Sequence, residues 1–122
     1  MAAHAPGQDD AAAEPPRFEF EGDAALRAPI TEALRRVVDP EVALSIVDVG
    51  LIYRVRADAE GVYVLMTMTS AACPVTDVII EDVQNELDRV LPAALPLEVE
   101  VTFEPPWTPE RMSQSARRFM RW

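Results

Sequence analysis

The chain has no lysine, one cysteine, one histidine and four glycines in 122 residues. A single cysteine cannot close an internal disulfide, which agrees with a cytoplasmic protein. The one histidine, His4, falls in an N-terminal stretch rich in Ala, Pro and acid. A histidine-based metal site in the core is therefore excluded. No apolar run approaches the ~18 residues of a membrane span. The opening "MAAHAPGQDDAAAEPP" has neither the basic nor the apolar region of a secretory signal. Positive charge is scarce: 11 arginines face 21 Asp and Glu, a formal net charge of −10. That balance argues against a nucleic-acid partner, which needs a basic face for the phosphates.

What remains is an acidic chain of one domain's length, about half apolar, long enough for a modest core. Residues 1–22 show no apolar period and are expected to be a flexible tail, leaving 23–122 as a single domain. Ala25, Leu26, Ile30, Leu34, Val37 and Val38 recur at helical spacing, with Pro29 suited to the first turn of the regular helix. "DPE" (Asp39 to Glu41) ends it, because a residue before proline avoids the helical region. "SIVDVGLIYRVRA" alternates as a strand with Val47, Val49, Leu51, Tyr53 and Val55 on one face. Asp48 and Gly50 then fall opposite, and Gly50 suggests a bulge or a close approach.

"DAEG" makes a turn, and "VYVLMTMT" returns antiparallel, with Leu65, Thr67 and Thr69 on one side and Val64, Met66 and Met68 on the other. The long apolar stripe Val75, Val78, Ile79, Val83, Leu87, Val90, Leu91 predicts a helix over 75–91, with Pro74 at its first position. "LEVEVTFE" predicts a last strand with Leu97, Val99, Val101 and Phe103 inward. Thr108 caps a terminal helix that opens with Pro109. The order α-β-β-α-β plus that helix predicts a two-layer α+β sandwich on a small three-stranded mixed sheet. Arg111, Arg117, Arg118 and Arg121 crowd the C-terminus, either docking back on the acidic body or meeting an acidic partner.

The only thiol, Cys73, sits where the second strand hands over to the long helix. Unpaired N–H groups and the macrodipole at a helix start favour a thiolate. A small buried residue without chemistry is the alternative. Asp39, Glu41, Asp48 and Cys73 could give a mixed carboxylate–thiolate site at most. Trp107, held between prolines in "EPPWTP", either folds over a cleft or closes the edge of the core.

Three segments, "VVDPEVALSIVDVGLIYRV", "VLMTMTSAACPVTDVIIEDVQNEL" and "VEVTFEPPWTPERMSQSARR", stand in order with short spacers. Together they resemble the SufT/PaaD-type iron–sulfur cluster assembly domain family over about Ile30 to Arg118. The SufT-like branch is the nearer, since the chain lacks the cysteine-rich tail of PaaD-like members. The resemblance implies an accessory factor for cluster assembly or transfer, more a carrier than an enzyme. It implies a functional Cys73 with Asp39, Glu41 and Thr69 beside it, and Asp48, Thr67, Trp107 and Cys73 near the cluster. Cys73 would be its one metal ligand, and iron or an iron–sulfur cluster a transient cargo. Implied partners are client or assembly proteins and a second copy of the chain, with Ile80 as an interface residue. Departures stand out at Ala71-Ala72, where the family has Pro-Gly, and at "VALS" after "DPE", where a proline or glycine is usual; Val49 also stands where leucine is usual. A small-molecule enzyme built on this fold, or a pure adaptor with a structural cysteine, are the alternative readings.

Overall fold

The computed structural model describes residues 18–70 and 74–120. Cys73, Ala71, Ala72, Arg121 and the first seventeen residues lie outside them.

The segment expected to be tail contributes a strand, β1 (Glu19–Gly22). Helix α1 (Ala24–Arg35) begins one residue after Asp23, whose carboxylate accepts the Ala25 N–H at 2.9 Å. This cap starts the helix five residues before Pro29, which lies inside it instead of opening it. Ile30, Ala33 and Leu34 form the buried face, the i, i+3, i+4 spacing of an amphipathic helix. Two short strands follow, β2 (Val38–Asp39) and β3 (Leu44–Ser45), paired antiparallel around the "DPE" turn.

The strand expected from Ser45 onward starts late. Ile46–Val49 is a single helical turn, α2, capped by the Ser45 hydroxyl, which accepts the Val47 N–H at 3.2 Å. Gly50 closes it in the left-handed region at φ 85°, the usual end of a helix where a side chain would be strained. Only then does β4 (Ile52–Asp58) run, antiparallel to β5 (Gly61–Met66). A register shift between Ile52 and Arg54 leaves Tyr53 as the extra residue of a bulge. Ile52, Val55 and Ala57 consequently face the core while Arg54 and Arg56 face solvent. The "DAEG" turn forms as expected, with the Asp58 carboxylate accepting the N–H groups of Glu60 and Gly61.

Helix α3 (Thr76–Val90) buries Ile79, Val83 and Leu87. Val78, expected in that stripe, is instead 50% exposed. β6 (Leu97–Val101) then pairs parallel with β5. Phe103, expected inward beyond it, is exposed. A 3-10 turn (Pro109–Arg111) and α4 (Gln114–Met120) finish the chain. Thr108 makes no side-chain cap bond there, and the hydroxyl that caps α4 is Ser113, which accepts the Ala116 N–H at 3.1 Å.

The sheet is therefore four-stranded, in order β1-β4-β5-β6, with parallel outer pairs flanking an antiparallel centre. The mixed α+β architecture is as expected; the fourth strand is the addition. Helices α1 and α3 pack on each other and cover one sheet face, where Val55, Val64 and Met66 are fully buried. Each such aliphatic side chain contributes roughly 1.5–3 kcal/mol relative to exposure. The other face carries the exposed Arg54, Arg56, Glu98 and Glu100 around a half-buried Tyr63. Tyr63 donates to Glu100 at 2.7 Å. That bond first, then partial burial and the charges of Glu100 and Glu98, push its phenol above the ordinary range.

Candidate functional site

Chain order sends most candidate residues to one end of the sheet. β4 starts there and β5 stops there, and the Leu51 carbonyl accepts the Thr67 N–H at 2.8 Å. The Ile46 N–H donates to the Val37 carbonyl at 2.9 Å, which fastens α2 to the start of the β2–β3 hairpin. Asp39, Asp48, Thr67 and Thr69 thus belong to neighbouring segments at that end. Ser70, which follows Thr69, is the last described residue before the segment that holds Cys73.

Asp39 is 1% exposed, although carboxylates are seldom fully buried without partners. Its side chain folds over its own turn: Oδ1 accepts the Glu41 N–H at 2.9 Å, and its carbonyl accepts Ala43 N–H at 2.8 Å. Pro40 and a left-handed Ala43 (φ 61°) complete the turn. The acidic "DPE" is thus a rigid Asx-type loop, with Asp39 inside and Glu41 exposed. Asp48 is half-buried and 3.6 Å from Arg35 across α1. Thr67 is fully buried and donates weakly to the Met68 carbonyl at 3.4 Å, whereas Thr69 is half-buried.

Trp107 is half-buried against the core and donates its indole N–H to the Val49 carbonyl at 2.8 Å. Closing the core edge is therefore what it does here. Sequence reasoning missed the residue beside it. Arg111 donates through Nε to the Gly50 carbonyl at 3.0 Å and through Nη2 to the Ile52 carbonyl at 3.2 Å. Its guanidinium also lies 4.2 Å over the Tyr53 ring. Tyr53 in turn donates to the Pro105 carbonyl. The only advance signal was the arginine-rich C-terminus; docking on the body is what Arg111 does, while Arg118 is exposed. Nearby, Glu110's own N–H and the Thr108 hydroxyl hold its carboxyl below the usual range.

Helix α3 begins at Thr76 with Val75 at its cap position and no side-chain cap bond. The expected start at Pro74 is therefore displaced, and Cys73 precedes the first helical residue by three positions. Ile80 is half-buried. Among the described residues no three His, Cys, Asp or Glu side chains converge as metal ligands. Two open clefts, of about 500 and 350 Å³, lie at the opposite end of the sheet around Asp58, Gly61 and Pro96.

A four-stranded mixed sheet covered by two helices, with a buried-acid turn and a C-terminal strap at one end, defines a small two-layer α+β domain. Comparison makes that particular. Residues 27–103 match the model of the iron–sulfur cluster assembly protein family, and the chain belongs to that family. It is 40% identical over 96 residues to the Fe-S protein maturation auxiliary factor YitW of Bacillus subtilis, covering 78% of this chain and 93% of that one. It is 42% identical over 82 residues to the Fe-S protein maturation auxiliary factor SufT of Staphylococcus aureus, covering 66% and 92%. The crystal structure of a domain of unknown function from Bacillus anthracis superposes with a TM-score of 0.74 at 38% identity, over 79% of this chain and 92% of that one.

Proposed function

We propose that this protein is an accessory factor in iron–sulfur cluster assembly, with the cluster as cargo rather than resident cofactor. The observation that carries this reading is its membership of the assembly family together with its likeness, over nearly their whole length, to proteins named maturation auxiliary factors. Cys73 is the cargo-contacting group in this proposal. Thr67 and Thr69 precede it in sequence just after β5, Glu41 supplies exposed acidic charge, and Asp39 shapes the turn that carries Glu41. Trp107 and Asp48 brace that end.

One thiolate cannot ligate a typical cluster, which takes four cysteines. The remaining ligands must come from a second copy, a client or small thiols. A homodimer supplies one more thiolate, and Val78 and Ile80 at the start of α3 are the apolar groups for such a contact. No described helix is long and apolar enough to cross a membrane, and a reducing cytoplasm is the setting in which a free thiol serves.

The test is anaerobic reconstitution with iron and sulfide, followed by visible spectroscopy and a client-maturation assay, on wild type and Cys73→Ser. Wild type is expected to develop sulfur-to-iron absorption and to speed cluster insertion into the client; the variant should do neither. Equal maturation by both proteins would make the cysteine structural and the protein an adaptor. A wild type that neither takes up iron and sulfide nor accelerates insertion would remove the carrier role altogether.

A further inference from the structure

β6 is an edge of the described sheet: β5 is its only strand partner among the described residues. Two bonds fix the way its backbone faces. The Val62 N–H donates to the Pro96 carbonyl and the Thr102 N–H to the Met66 carbonyl, both at 2.8 Å. In a parallel ladder the even-numbered residues of this strand therefore bond inward to β5. The N–H and C=O groups of Leu97, Val99 and Val101 point outward. The side chains of those three residues are only half-buried against the core, and Phe103 just beyond is 41% exposed. An outward row of donors and acceptors beside half-covered apolar side chains is a template for one more strand.

Charge says which strand. On the open sheet face β6 presents Glu98 and Glu100, opposite Tyr63 and Leu65. Two copies pairing antiparallel about Val99 would set Glu98 of one against Glu100 of the other, and like charges directly opposed are destabilising. The far edge shows what does fit. β1 carries the same spacing, Glu19 and Glu21, and is paired with Arg54 and Arg56 of β4, with Glu19 and Arg54 in contact at 3.0 Å. A Glu-x-Glu strand beside an Arg-x-Arg strand is thus already realised once within this sheet. We propose that the β6 edge binds an extended segment of a partner protein in which arginine or lysine alternates with apolar residues, adding it as a fifth strand. The basic side chains lie over Glu98 and Glu100, and the apolar ones extend the core face past Leu97, Val99 and Val101. This goes beyond the assembly role and does not rest on it, because the readout is peptide binding.

The probe is a short synthetic peptide of alternating Val and Arg, compared with a peptide alternating Val and Glu and with a scrambled Val/Arg peptide. Binding is followed by fluorescence anisotropy, and its place by amide chemical shifts. The alternating Val/Arg peptide should bind best, shift the amides of residues 97–103, and weaken with added salt. Val99→Pro removes an outward N–H without touching the β5 ladder and should abolish that preference while the thermal melt is retained. Glu98→Arg with Glu100→Arg should cost the Val/Arg peptide about tenfold in affinity and transfer the preference to the Val/Glu peptide. This pair keeps the proposal open to refutation if the proline variant fails to fold. No advantage over the scrambled peptide, binding unchanged by the charge reversal, or a dimer of the free protein that Val99→Pro dissociates would each overturn it.

Discussion

At Gly50 the backbone turns left-handed, and a Cβ added there would lie 2.3 Å from the Arg111 carbonyl oxygen. Both facts have one origin: the chain must leave α2 under the C-terminal strap, so close that hydrogen is the only side chain with room. Gly50→Ala meets backbone strain of about 1–2 kcal/mol for the left-handed residue. It also meets a contact with main chain, which cannot swing aside as a flexible side chain would. The variant is expected to lose about 2–4 kcal/mol of stability, read as a lower urea midpoint with unchanged slope. An unchanged midpoint would mean the strap does not approach Gly50 this closely. Asp39 makes the complementary point. Its burial is explained by a turn that consumes one carboxylate oxygen on its own backbone, so shaping that turn is a role it fills whatever cargo passes.

Between elements, the contact that titrates is the one from the end of α1 to α3, where Arg36 Nε donates to Glu86 at 2.8 Å. That hydrogen bond chiefly holds the Glu86 carboxyl below the usual range, helped by the charges of Arg89 and Arg36 and opposed by partial burial. A folded-state pKa below the unfolded one stabilises above the unfolded value, about 4.3, and the benefit disappears as pH falls through the folded value. Wild type should therefore melt slightly above Glu86→Gln at pH 7, and the two melting curves should converge only once the pH has fallen below the ordinary glutamate range. The gap is small because an ion pair near the surface is screened by solvent. A gap that persisted or widened in acid would contradict this assignment. The elements themselves were unevenly legible in the sequence. α3 declares itself by period and formed close to the expected bounds; the turn chemistry of "DAEG" likewise located the β4–β5 hairpin, although its first strand begins at Ile52, seven residues later than the pattern predicts. Ile46–Val49 did not declare itself, because a run of β-branched residues reads as strand until a serine cap and a left-handed glycine override it. β1 was hidden for a different reason: "EFEG" follows an acidic, unpatterned stretch, and only Arg54 and Arg56, some thirty-five residues on, give it a partner.

For the molecule as a whole, the strap from Pro105 to Ser113 is what keeps the candidate end in shape. It donates to four carbonyls in a row of five residues: Ser113 to Asp48, Trp107 to Val49, and Arg111 to Gly50 and Ile52. It also buries Met112. The sequence offered Trp107 as a cover for the core edge and Arg111 as a docking group, but not what they bond, since every acceptor is backbone at a distance of about sixty residues and backbone carries no sequence signature. A net hydrogen bond contributes about 1 kcal/mol, so the four bonds with the Trp107 and Met112 packing amount to several kcal/mol. That is a large share of the roughly 5–15 kcal/mol of a whole domain. Deleting residues 105–122 should accordingly cost the cooperative calorimetric transition, whereas Arg111→Ala, which removes two bonds and the contact over Tyr53, should lower stability by about 2–3 kcal/mol and leave the transition cooperative. The order of these effects matters more than their size. If the truncated chain melted cooperatively near the wild-type temperature, α2 and β4 would be holding their own carbonyls by other means. The strap would then be a cover on a self-sufficient domain, and a change in client maturation by the truncated chain would report lost contacts with partners instead of lost structure.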